Sequence, residues 1–138
     1  MDRMAIKPQQ RAYDAIMGKA MSGDLVFVVT PATGTPAPTT AAWEQAIIVE
    51  LQSAAGEVHK WFNKTITTGI AASDDSSDGS ASMDSTTLTF VDGKAAATLE
   101  GDEADWLATE TATATVAEAT VLGYTVAEKT CVLTFTAV

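Results

Sequence analysis

Two strands and the turn between them can be read in residues 86–100, TTLTFVDGKAAATLE. The run Thr86–Val91 is rich in β-branched and aromatic residues, and Asp92-Gly93 is a dipeptide that favours a two-residue hairpin turn. Beyond the turn, Ala95, Ala97 and Leu99 stand at every second position, so they share one face of the predicted strand. This segment therefore predicts a β-hairpin with one buried face.

Short strands with similar patterns are predicted on both sides of this hairpin. Turn signals separate them at intervals of about 8–12 residues, which is typical of an antiparallel sandwich. The chain also has 21 Thr and only one Asn, a composition that favours strands. We therefore expect an all-β fold with an immunoglobulin-like sandwich. The other predicted strands are Leu25–Val29, Ala46–Gln52, Glu57–Phe62, Thr65–Ala72, Thr109–Ala119 and Lys129–Thr136.

Charge divides the 138 residues into two unequal parts. Residues 1–22 hold four basic and two acidic side chains, a net charge of +2, whereas the remaining residues hold four Lys against 16 acids. An acidic body repels nucleic acid, so we expect no nucleic-acid partner. No apolar run is long enough to span a bilayer, so we expect no membrane partner either.

The N-terminal segment has apolar residues at roughly helical spacing and predicts a short amphipathic helix. A helix of this length needs a surface to pack against, either on its own β domain or on a neighbouring subunit. We divide the chain into an arm over 1–30, a Pro/Thr-rich loop over 31–42 and the sandwich over 43–138. The pattern leaves open whether Leu25–Val29 belongs to the arm or to the sandwich. The candidate partner-binding residues are Ile6, Tyr13, Ile16, Met17 and Met21, with Arg3, Lys7 and Arg11.

Residues that could carry catalytic or metal chemistry are few. His59 is the only imidazole, and no nucleophile or carboxylate is spaced for a triad with it, so we expect an exposed or edge-strand position and no enzyme. Asp74, Ser76 and Asp78 match the opening of a calcium loop, but the twelfth position is Ser85 rather than Glu. We expect a solvated loop there, with divalent-ion binding as the alternative.

Aromatic and sulfur side chains suggest a core rather than a site. Trp43, Trp61 and Trp106 are widely spaced, and we expect them in the core rather than on a sugar-stacking platform. Cys131 is the only cysteine and falls on the apolar face of the last strand, where it behaves as a small buried hydrophobe. No disulfide, cofactor or resident metal is expected.

Several of these segments resemble bacterial-type Ig-like domains, in which one strand precedes a D-A-x-G turn and a later D-G-K-A turn leads into a strand. Asp92–Ala95 has the second motif in full, and Ser53–Glu57, after the strand Ile47–Gln52, is a variant of the first in which Ala replaces the acidic residue. Glu57–Asn63 and Leu122–Val126 are similar to small Ig-like proteins of tailed-phage virions, above all the head decoration, or capsid cement, proteins.

The resemblance implies a virion structural protein that stabilises a phage capsid by binding the major capsid protein and neighbouring copies of itself, as a trimer or dimer. It implies a location on the capsid exterior after assembly in the host cytoplasm, because this chain has neither the leader nor the tandem repeats usual in adhesins. The alternative is a tail, fibre or surface module that binds a host glycan or another virion protein.

Overall fold

The computed structural model describes residues 25–137, and these residues form strands, turns and loops without a helix. Within this range, no helix that is long and apolar enough to cross a membrane is present. The predicted arm helix and its candidate contact residues between Arg3 and Met21 lie outside the described residues, and so does most of the predicted 1–30 arm.

Twelve strands make up the described domain, and most of them are short. Their bounds are β1 Leu25–Thr30, β2 Thr33–Gly34, β3 Trp43–Ser53, β4 Thr65–Ile66, β5 Ile70–Asp74, β6 Ala81–Met83, β7 Leu88–Thr89, β8 Lys94–Gly101, β9 Thr111–Val116, β10 Ala119–Val121, β11 Tyr124–Val126 and β12 Lys129–Thr134.

These strands form two four-stranded sheets and two small ladders. The first sheet has the order β1-β3-β8-β6 and is antiparallel throughout. The second has the order β2-β12-β9-β5 and is antiparallel except where β2 runs parallel to β12. The small ladders pair β4 with β7 and β10 with β11. The all-β expectation is thus confirmed.

Both large sheets contribute buried residues to the core, and these residues form a single hydrophobic cluster. Alternate residues of each long strand are buried, because successive side chains of a strand point to opposite faces. Full burial of one Ile, Leu or Val side chain contributes about 1.5–3 kcal/mol to stability. The predicted inward faces are confirmed for Ile47, Val49 and Leu51, for Ala95, Ala97 and Leu99, and for Cys131, Leu133 and Phe135.

Strand β1 belongs to the β domain, which answers the question that the sequence left open. All six of its residues pair with β3, from Leu25 opposite Ser53 to Thr30 opposite Ile48. Leu25, Phe27 and Val29 are buried in the common core. Their side chains are therefore used by the chain's own domain and are not available to bind a partner. The predicted loop over 31–42 likewise contains the two-residue strand β2 at the edge of the second sheet.

Three predicted strands are wrong in their extent. Glu57–Phe62 forms no strand, since only Val58 bridges to Gln52 before the chain turns. The predicted strand Thr65–Ala72 is interrupted by a turn at residues 67–68, where Thr68 has a φ of 53°. The predicted strand over 86–91 is reduced to β7. Turns at residues 60–61 and 67–68 thus interrupt the first two of these predicted strands.

The Asp92-Gly93 turn is confirmed. Both residues have positive φ, 51° and 80°, as a type I′ turn requires, and Val91 and Lys94 exchange backbone hydrogen bonds of 2.8 and 3.1 Å. The hairpin itself ends there, because β7 pairs with β4 whereas β8 pairs with β3 and β6. A second turn with the same signature, Leu122-Gly123 (52° and 80°), joins β10 to β11 and was not predicted.

Candidate functional site

One end of the domain gathers three segments that connect its strands. These are residues 57–68, the turn at 91–93 and the segment 117–126, which we call the hairpin end. Gly93 N donates a 2.9 Å hydrogen bond to Phe62 O, and Lys64 exchanges backbone hydrogen bonds of 3.2 and 2.8 Å with Phe90, next to the turn. Ala117 N donates a 2.9 Å hydrogen bond to Gly69 O, directly after the first segment. The other end consists of residues 31–42, 75–80 and 102–110, which we call the loop end.

A shallow groove crosses the hairpin end. Its first part has a volume of 260 Å³ and is lined by Trp61–Lys64 together with Val121 and Leu122. Its second part has a volume of 300 Å³ and lies between Lys64–Thr67 and residues 118–120. Lys64 lines both parts, so they adjoin each other, and we call them together the β4–β10 groove. The side chain of Leu122 is 39% exposed at its margin.

The wall of the groove contains an indole held in place by a buried histidine. His59 is only 4% exposed, and its Nδ1 accepts a 3.0 Å hydrogen bond from Trp61 Nε1. The prediction of an exposed or edge-strand position for His59 is therefore wrong. The backbone of His59 is held on both sides, by hydrogen bonds from its N to Leu51 O and from Phe62 N to its O. A half-buried aromatic ring with a fixed orientation results.

The loop end is closed by aromatic rings. Trp43, Trp106 and Phe135 lie with ring centroids 5.2–5.5 Å apart. Trp106 is fully buried and donates its Nε1 proton to Asp102 O at 3.0 Å, so its predicted core position is confirmed. Trp43 and Trp61 are half-buried and pack against the core. A depression of 420 Å³ beside Trp106 is flanked by the exposed side chain of Leu107.

The acidic loop is organised by hydrogen bonds within the protein. Asp74 accepts bonds from the backbone N of Ser76 and Ala81, at 3.2 and 2.8 Å, and Asp78 accepts one from Asp105 N at 3.2 Å. Ser76 Oγ accepts bonds from the N of residues 78 and 79. Among residues 25–137, no group of three or more His, Cys, Asp or Glu side chains is placed to hold a metal ion.

Glu110 is the centre of this loop, and the sequence analysis did not identify it. Its carboxylate accepts bonds from the backbone N of Leu107 and Ser77, at 2.7 and 2.9 Å, and from the hydroxyls of Ser76 and Ser77. The N–H donors of Leu107 and Ser77 hold the pKa of Glu110 below its usual value, because hydrogen bonds stabilise the charged form. Ser76 and Ser77 are more than 30 residues away in the chain, so no local pattern shows these partners.

Charge is unevenly distributed between the two ends. The three segments of the loop end contain six carboxylates and no basic side chain. Of the four lysines in the described part of the chain, two lie in residues 60–64, and Lys94 and Lys129 begin the strands that leave the hairpin end. Lys94 forms an ion pair of 3.3 Å with Glu50. The hairpin end is therefore the less acidic of the two.

Cys131 is fully buried, as predicted. Burial raises the pKa of its thiol, which keeps it protonated at neutral pH and disfavours nucleophilic chemistry. The described residues thus include a groove with a fixed indole and a depression beside Trp106, whereas the predicted contact residues of the arm lie outside them.

Comparison with known proteins returned no match to a family model, to a curated protein or to a solved structure.

Proposed function

We propose that this chain is a structural protein of a tailed-phage virion, which decorates the capsid and stabilises it by binding major capsid protein subunits. In this proposal the β domain is a rigid body, and the N-terminal segment supplies the contacts with the shell and with neighbouring copies. The residues of that segment which bind are Ile6, Tyr13, Ile16, Met17 and Met21, assisted by Arg3, Lys7 and Arg11.

The strand order carries the proposal. An immunoglobulin-like sandwich has strands A, B, E and D in one sheet and strands C, F and G in the other. If β1, β3, β5, β6, β8, β9 and β12 are taken as A to G, the sheet orders β1-β3-β8-β6 and β12-β9-β5 follow that scheme. This supports the Ig-like assignment, and with it the resemblance to decoration proteins that carry such a domain.

The distribution of charge also supports the proposal. The described domain has four lysines against fifteen carboxylates, a net charge of −11, and such a surface keeps crowded copies soluble and apart. In this proposal the basic segment docks on the shell, whereas the acidic body keeps neighbouring copies from aggregating. Leu25, to which that segment is joined, lies opposite Ser53 beside the hairpin end.

A second candidate function is a tail, fibre or surface module that binds a glycan. The groove at the hairpin end favours it, because Trp61 offers a half-buried indole of fixed orientation beside the polar side chains of Asn63 and Lys64. The buried position of Trp106 argues against a similar role for that ring.

The experiment that tests the proposal is co-sedimentation of the full chain with undecorated heads of the phage that encodes it. Capsid decoration predicts saturable binding at a fixed ratio of copies to capsid subunits, lost on replacing Ile16 and Met17 by Asp. Protein that stays in the supernatant, and that binds glycans in a manner sensitive to Trp61→Ala, would instead support the second candidate.

A further inference from the structure

The two small ladders of the domain present unpaired edges to each other across the β4–β10 groove. Within residues 25–137, β4 pairs only with β7, and β10 pairs only with β11. Residues of both strands line the same 300 Å³ part of the groove, Thr65 and Ile66 on one side and Ala119 and Thr120 on the other. The groove therefore separates two strand edges that have no partner strand.

The hydrogen-bonding pattern shows which backbone groups are turned away from the existing ladders. Antiparallel pairs alternate between bonded and non-bonded pairs. Lys64 and Phe90 form a bonded pair, so the next pair, Thr65 with Thr89, is non-bonded, and the N–H and C=O of Thr65 point away from β7. In the other ladder, Val121 and Tyr124 flank the two-residue Leu122-Gly123 turn and form the bonded pair, so the next pair, Thr120 with Thr125, is non-bonded. The N–H and C=O of Thr120 therefore point away from β11.

We propose that this groove is a β-augmentation site that accepts the N-terminal segment of a neighbouring copy of the chain. An added strand would pair with β4 and β10 together and join the two ladders into one five-stranded sheet. Main-chain hydrogen bonds then give the affinity, and the side chains that point into the groove give the specificity. The inference rests on the proposed function, in which many copies lie side by side.

The occupant follows from where the remaining chain is attached and from its charge. Twenty-four residues precede Leu25, which lies at the hairpin end, and β1 contacts β11 there. Residues 1–22 carry a net charge of +2, opposite in sign to the net charge of the described domain. Basic segments donated between copies offset the repulsion between acidic bodies.

Within that segment, the sequence Arg3-Met4-Ala5-Ile6-Lys7 suits the groove. Met4 and Ile6 alternate with Arg3, Ala5 and Lys7, which is the pattern of a strand with one apolar face. Pro8 follows, and the residue before a proline is disfavoured in a helix. The apolar face would contact the margin formed by Leu122, and the basic side chains would lie near Glu118.

The length of the segment permits donation to a neighbour. Twenty-four extended residues span up to about 80 Å. Strand β3, the longest of the domain, has 11 residues and spans about 37 Å. The segment is therefore long enough to reach an adjacent molecule.

The test is sedimentation velocity of the full chain over a range of concentrations, with no phage heads present. We expect concentration-dependent oligomers, which an excess of a synthetic peptide of residues 1–12 converts to monomers. Thr120→Pro removes the N–H that faces the groove and should weaken association at least about tenfold. Its matched control is Thr125→Pro, at the directly opposite and equally exposed residue of β11, whose N–H faces away from the groove; this variant should associate like the unmodified chain.

A second pair of variants leaves the described domain untouched. Ile6→Asp should abolish association, whereas Gln10→Asp, which adds the same charge beyond Pro8, should preserve it. A chain that is monomeric at every concentration, or one in which Thr120→Pro and Thr125→Pro associate equally, overturns the inference. Because no phage heads are present in this experiment, such a result does not bear on capsid binding, which the co-sedimentation experiment tests separately.

Discussion

The imidazole of His59 and the indole of Trp61 are joined by a 3.0 Å hydrogen bond in which Trp61 Nε1 donates to His59 Nδ1. His59 is buried, whereas Trp61 is half-buried and forms part of the groove wall. Since the acceptor nitrogen carries no proton, the imidazole is held in the tautomer protonated at Nε2 when it is neutral. The two residues thus link the core to the surface that we propose to bind partners.

Replacing His59 should destabilise the protein through loss of both packing and this hydrogen bond. We expect His59→Ala to lower the free energy of unfolding by about 2–4 kcal/mol. Trp61→Phe should cost less, since Trp61 is only partly buried. In a double-mutant cycle followed by urea unfolding, the coupling between the two sites should be about 1 kcal/mol. Additive effects would contradict the role given to the bond.

Replacing Glu110 should loosen the loop end in a pH-dependent manner. The pKa of Glu110 is lower in the folded protein than its ordinary value of 4.5, so its stabilising effect is present above that value and is lost as the pH falls through the folded-state pKa. Glu110→Gln should therefore lower the melting temperature at pH 7, and the difference from the unmodified chain should disappear in acid.

The control for this experiment is Glu103→Gln, which removes a carboxylate from the same loop. Glu103 is exposed, so its replacement should leave the melting temperature nearly unchanged at both pH values. A Glu110 variant that loses the same stability at pH 3 as at pH 7 would show that the carboxylate charge is not what fixes the loop.

A side chain at Gly101 has no room. A Cβ there would overlap the indole of Trp43, which packs on Trp106 and Phe135. We expect Gly101→Ala to cost about 3 kcal/mol and to change the near-ultraviolet circular dichroism of the aromatic cluster. Gly123→Ala meets nothing within 4 Å and has only its φ of +80° to overcome, so it should cost about 1 kcal/mol and leave that spectrum unchanged.

Glu44 and Glu100 are directly opposite each other on neighbouring strands of the first sheet. Like charges in such a pair are destabilising, so Glu44→Thr should stabilise the domain by about 0.5 kcal/mol at low salt, and less at high salt. The matched control is Glu50→Thr, because Glu50 lies opposite Lys94 and forms an ion pair with it. That variant should gain nothing, and equal gains at both positions would exclude cross-strand repulsion as the cause.

The long strands could be predicted because their buried faces repeat every second residue. This pattern is seen on β3 at Ile47, Val49 and Leu51, and on β12 at Cys131 and Leu133. The Asp-Gly turn before β8 could be predicted from its residue types. The boundary failed at Thr68, where the turn interrupts the predicted strand Thr65–Ala72 although Gly69, a residue type typical of turns, follows it. The turn at Leu122-Gly123 escaped prediction because Leu rarely takes the left-handed conformation.

The features of the two ends were less accessible to sequence reasoning, since they depend on distant partners. Glu110 binds residues of a loop more than 30 positions earlier, and the groove is formed by β4 and β10, which are separated by about 50 residues. A short-range pattern contains no signal for either. His59 was misplaced for a similar reason, because its backbone partner Leu51 belongs to a different element.

The measurement that tests the central claim most directly is heat-induced genome release from undecorated phage heads, with and without added protein. Capsid decoration predicts that release shifts to higher temperature and that the shift saturates at a fixed ratio of bound copies to capsid subunits. An unchanged release temperature, with the protein free in solution at every ratio, would contradict it.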